Sequence, residues 1–92
     1  MTGETVRREV VICNQRGLHA RAAARFVKLA DQFEAEVWVE RDGQSVSGRS
    51  IMGLMMLAAG PGSPIGLKAI GRDAAAAVAA LARLVERKFD ED

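Results

Sequence analysis

The sequence has very few of the residues on which small metal and redox sites depend. It contains one histidine, His19, and one cysteine, Cys13, among 92 residues. A single cysteine forms no internal disulfide, which is typical of a chain from a reducing compartment such as the cytoplasm. One histidine and one cysteine are also too few for a zinc cluster. We therefore expect a cytoplasmic protein without a bound metal.

Aromatic residues, excess charge and long apolar segments are scarce as well. There is no tyrosine, there are one tryptophan and three phenylalanines, and 13 Lys and Arg residues nearly balance 12 Asp and Glu residues for a net charge of +1. Nucleic-acid surfaces need basic patches or exposed aromatics, so this composition argues against a nucleic-acid module. No apolar run reaches membrane length, and residues 1–9 lack the apolar core of a signal peptide.

What is present describes an ordinary small globular protein. Apolar residues make up 49% of the chain and charged residues 27%, which argues against disorder. The length favours a single domain over residues 1–92, and a monomer is the default expectation. The chain has no phosphate-binding Gly-rich Lys motif, so we expect no nucleotide or other cofactor.

Alternating apolar residues predict four short strands. They cover Thr5–Cys13, Ala35–Arg41, Gln44–Ser47 and Ile65–Ile70. Asp42-Gly43 is a strong two-residue hairpin signal, which makes the second and third strands antiparallel. Cys13 follows Val11 and Ile12, and this setting predicts a buried thiol in the first strand.

Apolar residues at helical spacing predict three helices. The first begins at Ala20 and ends near Gln32, the second covers Ile51–Leu57 after Ser50 as N-cap, and the third follows Asp73 as cap, with a buried stripe from Ala74 to Val85. The order is β-α-β-β-α-β-α. It predicts an α+β domain in which the helices cover one face of a four-stranded sheet.

His19 lies where a phosphate group binds well. It follows Gly17, whose backbone tolerates unusual torsions, and precedes the first helix directly. The first N–H groups of that helix have no partners within it, and the helix N-terminus favours a doubly charged anion over an imidazolium ion. Arg21 adds a fixed positive charge. A neutral imidazole here could attack phosphorus, with positioning and charge stabilisation as the main catalytic contributions.

Ser50 and the methionines after it form a second candidate site. A capping serine could also accept a phosphate, and two negative charges there would disturb an apolar docking surface. Met52, Met55 and Met56 at helical spacing are more typical of a core than of an interface. A helix this short cannot bury every face, however, so we expect some of these methionines to be exposed.

These two segments resemble one known family. Gly17-Leu18-His19-Ala20-Arg21-Ala22-Ala23 is similar to the phosphohistidine motif of HPr, the phosphocarrier family of the bacterial phosphoenolpyruvate-dependent phosphotransferase system. Arg49-Ser50-Ile51-Met52-Gly53-Leu54-Met55 is similar to the regulatory serine segment of that family. The order of elements also agrees, and the resemblance covers nearly the whole chain.

The resemblance implies an open-faced β-sandwich, with a four-stranded antiparallel sheet and three helices on one side. It implies that His19 accepts phosphate on Nδ1 from phosphorylated enzyme I and passes it to an enzyme IIA domain, with assistance from Arg21. It implies that Ser50 is a substrate of the HPr kinase/phosphorylase. It also implies a docking surface that includes Ala20, Ile51, Met52 and Met55, and a carrier protein in place of an enzyme.

The chain departs from the family pattern at Ala22, where the family usually has proline. Proline is tolerated in the first turn of a helix, because the N–H that it lacks is unpaired there anyway. Alanine should leave the fold intact and affect the loop or the choice of partner. The segment Leu54–Leu57 and the charged ending Lys88–Asp92 look closer to NPr, the nitrogen-branch member, than to the sugar-uptake type.

Two other functions remain open on the sequence. The fold could serve mainly as a binding partner of a regulator, controlled by phosphorylation of Ser50 in a nitrogen-type relay, although the retained His19 and Arg21 argue against this. The second of these functions is that of a small hydrolase in which His19 acts as the base. It lacks a nucleophile motif, because Ser45, Ser47, Ser50 and Ser63 have no recognisable elbow sequence around them.

Overall fold

The computed structural model describes residues 4–91, and its elements follow the predicted order. The strands are β1 (Glu4–Val11), β2 (Glu36–Arg41), β3 (Gln44–Ser47) and β4 (Pro64–Gly71), and the helices are α1 (Ala20–Ala30), α2 (Ile51–Met56) and α3 (Ala74–Glu86). One further turn covers Lys88–Asp90. Residues 1–3 of the polar N-terminal segment and Asp92 of the charged ending lie outside the described residues.

The four strands form one antiparallel sheet with the order β1-β4-β2-β3. Alternation along β2 and β4 buries Val37, Val39, Leu67 and Ala69 on one face. The helices pack on that face, α3 against β1 and β4, and α1 against α2 and α3. The predicted open-faced architecture is therefore confirmed.

The hairpin between β2 and β3 has the predicted local chemistry. Asp42 and Gly43 both have positive φ, 49° and 82°. Two consecutive residues of this kind make a turn whose twist matches that of the flanking strands. Arg41 and Gln44 then pair directly across it.

The first strand is shorter than predicted, and the predicted burial of Cys13 is wrong. β1 ends at Val11, opposite Pro64, the first residue of its partner strand. Beyond that point the neighbouring chain is a turn, which still exchanges two backbone hydrogen bonds with Ile12. Ile12 stays buried, whereas Cys13 lies on the opposite, exposed face with Val11, and its thiol donates hydrogen bonds to the Val85 and Glu86 carbonyls.

Three helix termini also differ from the prediction. Asp73 occupies the N-cap position of α3 but makes no capping hydrogen bond with its side chain. Its carboxylate instead accepts a hydrogen bond from the Glu34 N–H at 2.8 Å, which ties the start of α3 to the segment before β2. The first helix ends at Ala30 with Asp31 as C-cap, two residues before Gln32, and α2 ends at Met56, one residue before Leu57.

The core lies between the sheet and the helices and reaches the end of the chain. Phe26 of α1, Leu81 of α3 and Phe89 of the final turn are all fully buried. Phe89 anchors the residues after α3 against the body of the protein. Within residues 4–91, no helix combines the length and the apolar character needed to cross a membrane.

Candidate functional site

His19 is the N-cap residue of α1. Its backbone is extended, with φ −79° and ψ 180°, and its carbonyl accepts the first helical hydrogen bond, from the Ala23 N–H, at 2.8 Å. The Nδ1 atom lies 3.3 Å from the Arg21 N–H, which donates to it. The side chain is 22% exposed, so the ring is held by the protein but open to an approaching group.

The loop before His19 is fixed by the chain that follows α2. Gly17 has φ +65° and packs against Ala59 and Gly60 so closely that a Cβ atom would lie 2.8 Å from the Gly60 Cα. The Leu18 N–H donates to the Ala59 carbonyl at 2.9 Å, and the Leu18 side chain is buried. This contact sets the position at which the chain enters α1.

The other ring nitrogen contacts a residue from the far end of the chain. Nε2 of His19 lies 2.6 Å from Oε2 of Glu91. The second oxygen of Glu91 accepts a hydrogen bond from the Asn14 amide at 2.9 Å, and that amide also donates to the Gly17 carbonyl at 2.8 Å. Asn14 is completely buried. The three side chains therefore form a connected row from Asn14 through Glu91 to His19.

These contacts select one form of the imidazole ring. A carboxylate only accepts hydrogen bonds, so Nε2 must carry a proton toward Glu91. The backbone N–H of Arg21 only donates, so Nδ1 must be unprotonated. The two hydrogen bonds therefore favour the ring with its proton on Nε2 and the free electron pair on Nδ1.

Glu91 is held as a carboxylate. Burial by itself raises the pKa of Glu91, but hydrogen bonds from Asn14 and His19, with a smaller effect from the charge of Arg25, lower it below its ordinary value. The ionised form is thus the one that the surrounding groups favour at neutral pH.

A cationic cavity opens beside this row. It has a volume of about 430 Å³ and is lined by Gln15, Arg16, Arg21 and Glu91. Arg21 is exposed. The two guanidinium groups outweigh the Glu91 carboxylate and, with the N-terminus of α1, make this region suitable for an anion. The structure thus brings together His19 and Arg21, the two residues singled out for phosphate chemistry.

Ser50 lies apart from that cavity, as the N-cap of α2. Its Oγ accepts a hydrogen bond from the Gly53 N–H at 2.9 Å, as predicted for a cap, and the residue is half-buried. The His19 loop contacts Ala59, beyond the other end of α2. Six helical residues rise about 9 Å, so Ser50 is at the far end of that helix from the contact.

Between these points α2 presents an exposed apolar patch. Ile51, Met52, Met55 and Met56 are 40%, 71%, 41% and 70% exposed, whereas Leu54 on the other side is fully buried. The interpretation of the methionines as core is therefore wrong, and the expectation that some are exposed is confirmed. We call these four residues the apolar patch. Ala20, the first residue of α1, is exposed too.

Sequence reasoning missed Glu91 and Asn14. Glu91 is 72 residues from the ring that it contacts, and the charged ending gave no signal of that contact. Asn14 precedes the His19 motif by only three residues, but nothing in the sequence indicated its contact with Glu91.

The chain is similar throughout its length to one family of known proteins. Residues 6–87 match the family model described as PTS HPr component phosphorylation site. The chain is 46% identical over 86 residues to the phosphocarrier protein HPr of Neisseria meningitidis serogroup A, covering 94% of this chain and 97% of the relative. It is 46% identical over 84 residues to the phosphocarrier protein NPr of Shewanella violacea, covering 91% and 92%.

A solved structure agrees with this similarity. The crystal structure of an HPr from Thermoanaerobacter tengcongensis superposes with a TM-score of 0.90 at 42% identity, covering 95% of this chain and 98% of that one. The agreement extends to the order of strands and helices described above.

Proposed function

Since this chain belongs to the HPr family, the phosphocarriers of the phosphotransferase system, we propose that it carries the phosphoryl group on Nδ1 of His19. A phosphocarrier is not itself an enzyme, and the partner proteins supply the rest of each transfer site. The observation that carries the assignment is the ring geometry. Nδ1 has the free electron pair and lies at the N-terminus of α1, while Nε2 is occupied by Glu91.

The helix end favours the phosphorylated form. Once Nδ1 is bonded to phosphorus it has no free pair, and the N–H of Arg21 that now donates to it becomes available to a phosphoryl oxygen. The Arg21 guanidinium lines the adjoining cavity and supplies a fixed positive charge for the same group. Ala22, buried in the first turn of α1, fills the position of the usual proline without disturbing this arrangement.

We place the partners on the surface around the site. Phosphorylated enzyme I is the donor and an enzyme IIA domain is the acceptor, and both dock on Ala20, Ile51, Met52 and Met55. Exposure of these residues supports this proposal, because methionine side chains adapt to more than one partner. The exposed Cys13 thiol is consistent with the cytoplasm as the location.

Replacement of His19 is expected to abolish labelling from phosphoenolpyruvate. His19 is the only histidine of the chain, so no second imidazole can accept the group. We expect wild type incubated with phosphoenolpyruvate and a cognate enzyme I to acquire about one acid-labile phosphate per chain, and His19→Ala and His19→Asn to acquire none. Asparagine keeps an acceptor at the N-cap, so the fold is preserved. Equal labelling of either variant would reject the assignment.

A second proposed function is regulation at Ser50 by the HPr kinase/phosphorylase. Ser50 borders Ile51 and Met52 of the apolar patch. A phosphate on its Oγ would be tolerated by the helix N-terminus, but its charge would oppose docking of an apolar partner surface. If phosphorylation of Ser50 is the main control, the protein acts as a regulatory binding partner in a nitrogen-type relay. HPr and NPr relatives occur at the same 46% identity.

Variants at Ser50 separate phosphorylation from capping. We expect acid-stable label from ATP and HPr kinase/phosphorylase to vanish in both Ser50→Ala and Ser50→Asn. Only the alanine variant should lose the cap, at a cost of about 1 kcal/mol in the free energy of unfolding. Ser45→Ala, in the exposed hairpin, is the matched control and should keep the label. Label that persists in Ser50→Asn would show that another hydroxyl is the acceptor.

A further inference from the structure

We propose that Glu91 is a positioning residue that fixes the tautomer of His19, and that the turn over residues 88–90 exists to hold it there. This proposal rests on the proposed function of His19 as phosphoryl acceptor. It goes beyond that function because it makes a residue near the end of the chain part of the transfer site.

The contacts around Glu91 leave it no other orientation. Oε2 faces Nε2 of His19 at 2.6 Å, and Oε1 accepts from the Asn14 amide at 2.9 Å. Asn14 cannot turn over freely, because the same amide nitrogen also donates to the Gly17 carbonyl. A buried amide thus orients the carboxylate, and the carboxylate orients the ring. This is the logic of a catalytic base held by a third group.

The turn that carries Glu91 is strained and firmly anchored. Lys88, Phe89 and Asp90 have φ values of 58°, 54° and 60°, three successive non-glycine residues in the left-handed region. Such conformations are unfavourable for residues with a Cβ atom and persist only where surrounding contacts impose them. Here Phe89 is fully buried and its carbonyl accepts a hydrogen bond from Arg25.

An ion pair closes the same turn from outside. Arg87 Nε donates to Oδ1 of Asp90 at 2.9 Å, across three residues. The anchored core side chain, the bond from α1 and this ion pair together impose the left-handed path. The result of that path is the position of Glu91 against His19.

The transfer step shows why this position matters. The electron pair of Nδ1 forms the bond to phosphorus while the bond between phosphorus and the donor's leaving atom breaks, and the pair of the broken bond leaves with the donor. Nε2 keeps its proton, so the ring gains a positive charge. The Glu91 carboxylate is hydrogen-bonded to that proton and stabilises the charge, whereas a ring with its proton on Nδ1 has no free pair on that atom, and its Nε2 pair faces Glu91 in place of the donor.

The geometry makes a distinctive prediction for the variants. In Glu91→Gln the amide oxygen should face the fixed Asn14 donor, which turns the NH₂ group toward Nε2. Nε2 must then accept, and the proton moves to Nδ1 at the expense of the longer hydrogen bond from the Arg21 N–H, 3.3 Å. In Glu91→Ala only that longer hydrogen bond still selects a tautomer, so both tautomers become populated. The glutamine variant should therefore be worse than the alanine variant, the reverse of the order expected if Glu91 only filled space.

We would measure the ring ¹⁵N shifts of the unphosphorylated proteins and the rate of phosphoryl acceptance from phosphorylated enzyme I. We expect the Nε2–H tautomer in wild type, mainly Nδ1–H in Glu91→Gln and a mixture in Glu91→Ala. Acceptance should slow at least tenfold in Glu91→Gln, which loses both the tautomer and a charge-assisted hydrogen bond, and about threefold in Glu91→Ala.

Glu86→Gln is the matched control, because it removes an exposed carboxylate that pairs with Arg8 and does not contact His19. It should behave as wild type in both measurements. The inference is wrong if Glu91→Gln keeps the Nε2–H tautomer, or if it accepts phosphate as fast as Glu91→Ala. Those outcomes differ from failure of the proposed function, in which wild type itself would not be labelled.

Discussion

Alanine in place of Gly17 is expected to destabilise the folded protein by about 3 kcal/mol and to slow phosphoryl acceptance more than any change outside His19. About 1–2 kcal/mol comes from the left-handed backbone, with φ at +65°. About 1–3 kcal/mol more comes from overpacking, because the new Cβ would lie 2.8 Å from the Gly60 Cα and against the Ala59 carbonyl. Relief of the clash moves the loop and, with it, the ring of His19.

Gly43→Ala separates these two contributions. Gly43 also has a positive φ, 82°, but nothing lies within 4 Å of an added Cβ. In urea unfolding, Gly43→Ala should lose only the part of the free energy of unfolding that the left-handed backbone accounts for. It should accept phosphate normally, since the hairpin is remote in sequence from the His19 loop. If the two alanine variants lose the same stability and the same activity, close packing of Gly17 against Ala59 and Gly60 does not position the site.

Replacement of Phe89 by alanine is expected to lower the free energy of unfolding by about 3–5 kcal/mol, as for other fully buried aromatics. A second effect should accompany it. Without its anchor the left-handed turn loses a main reason to hold its strained backbone, so Glu91 leaves His19. The folded fraction should then show a mixture of imidazole tautomers, as in Glu91→Ala.

Leu67→Ala provides the comparison for Phe89. Leu67 is buried in β4, and its truncation should cost about 2–5 kcal/mol without changing the tautomer of His19. Thermal unfolding measures the stability that each variant loses. Ring ¹⁵N shifts, recorded under conditions in which each variant is folded, report the tautomer of His19. A normal tautomer in Phe89→Ala would show that the turn does not depend on its buried side chain.

The elements that could be predicted from the sequence are those determined by neighbouring residues. The start of α1 after Gly17, the turn at Asp42-Gly43 and the cap at Ser50 each depend on a few adjacent residues, and all three are confirmed. The strand predicted over Ala35–Arg41 is confirmed as well, with Val37 and Val39 buried, because alternation in one strand is a local pattern.

The errors concern side chains whose partners are distant in the sequence. Asp73 bonds to Glu34 in place of its own helix, and Cys13 is exposed because the helices pack on the other face of the sheet, where Val10 and Ile12 lie. Glu91 reaches His19 through three left-handed residues. None of them is glycine, so local preferences argue against that path, and only the packed tertiary structure determines it.

The most direct test is to identify the atom that carries the phosphoryl group. Protein labelled with ¹⁵N would be phosphorylated with phosphoenolpyruvate and a cognate enzyme I, and ¹⁵N–³¹P coupling would be measured on the ring of His19. We predict phosphorus bonded to Nδ1 and a proton retained on Nε2. Phosphorus on Nε2, or an unmodified ring in a labelled protein, would contradict the account.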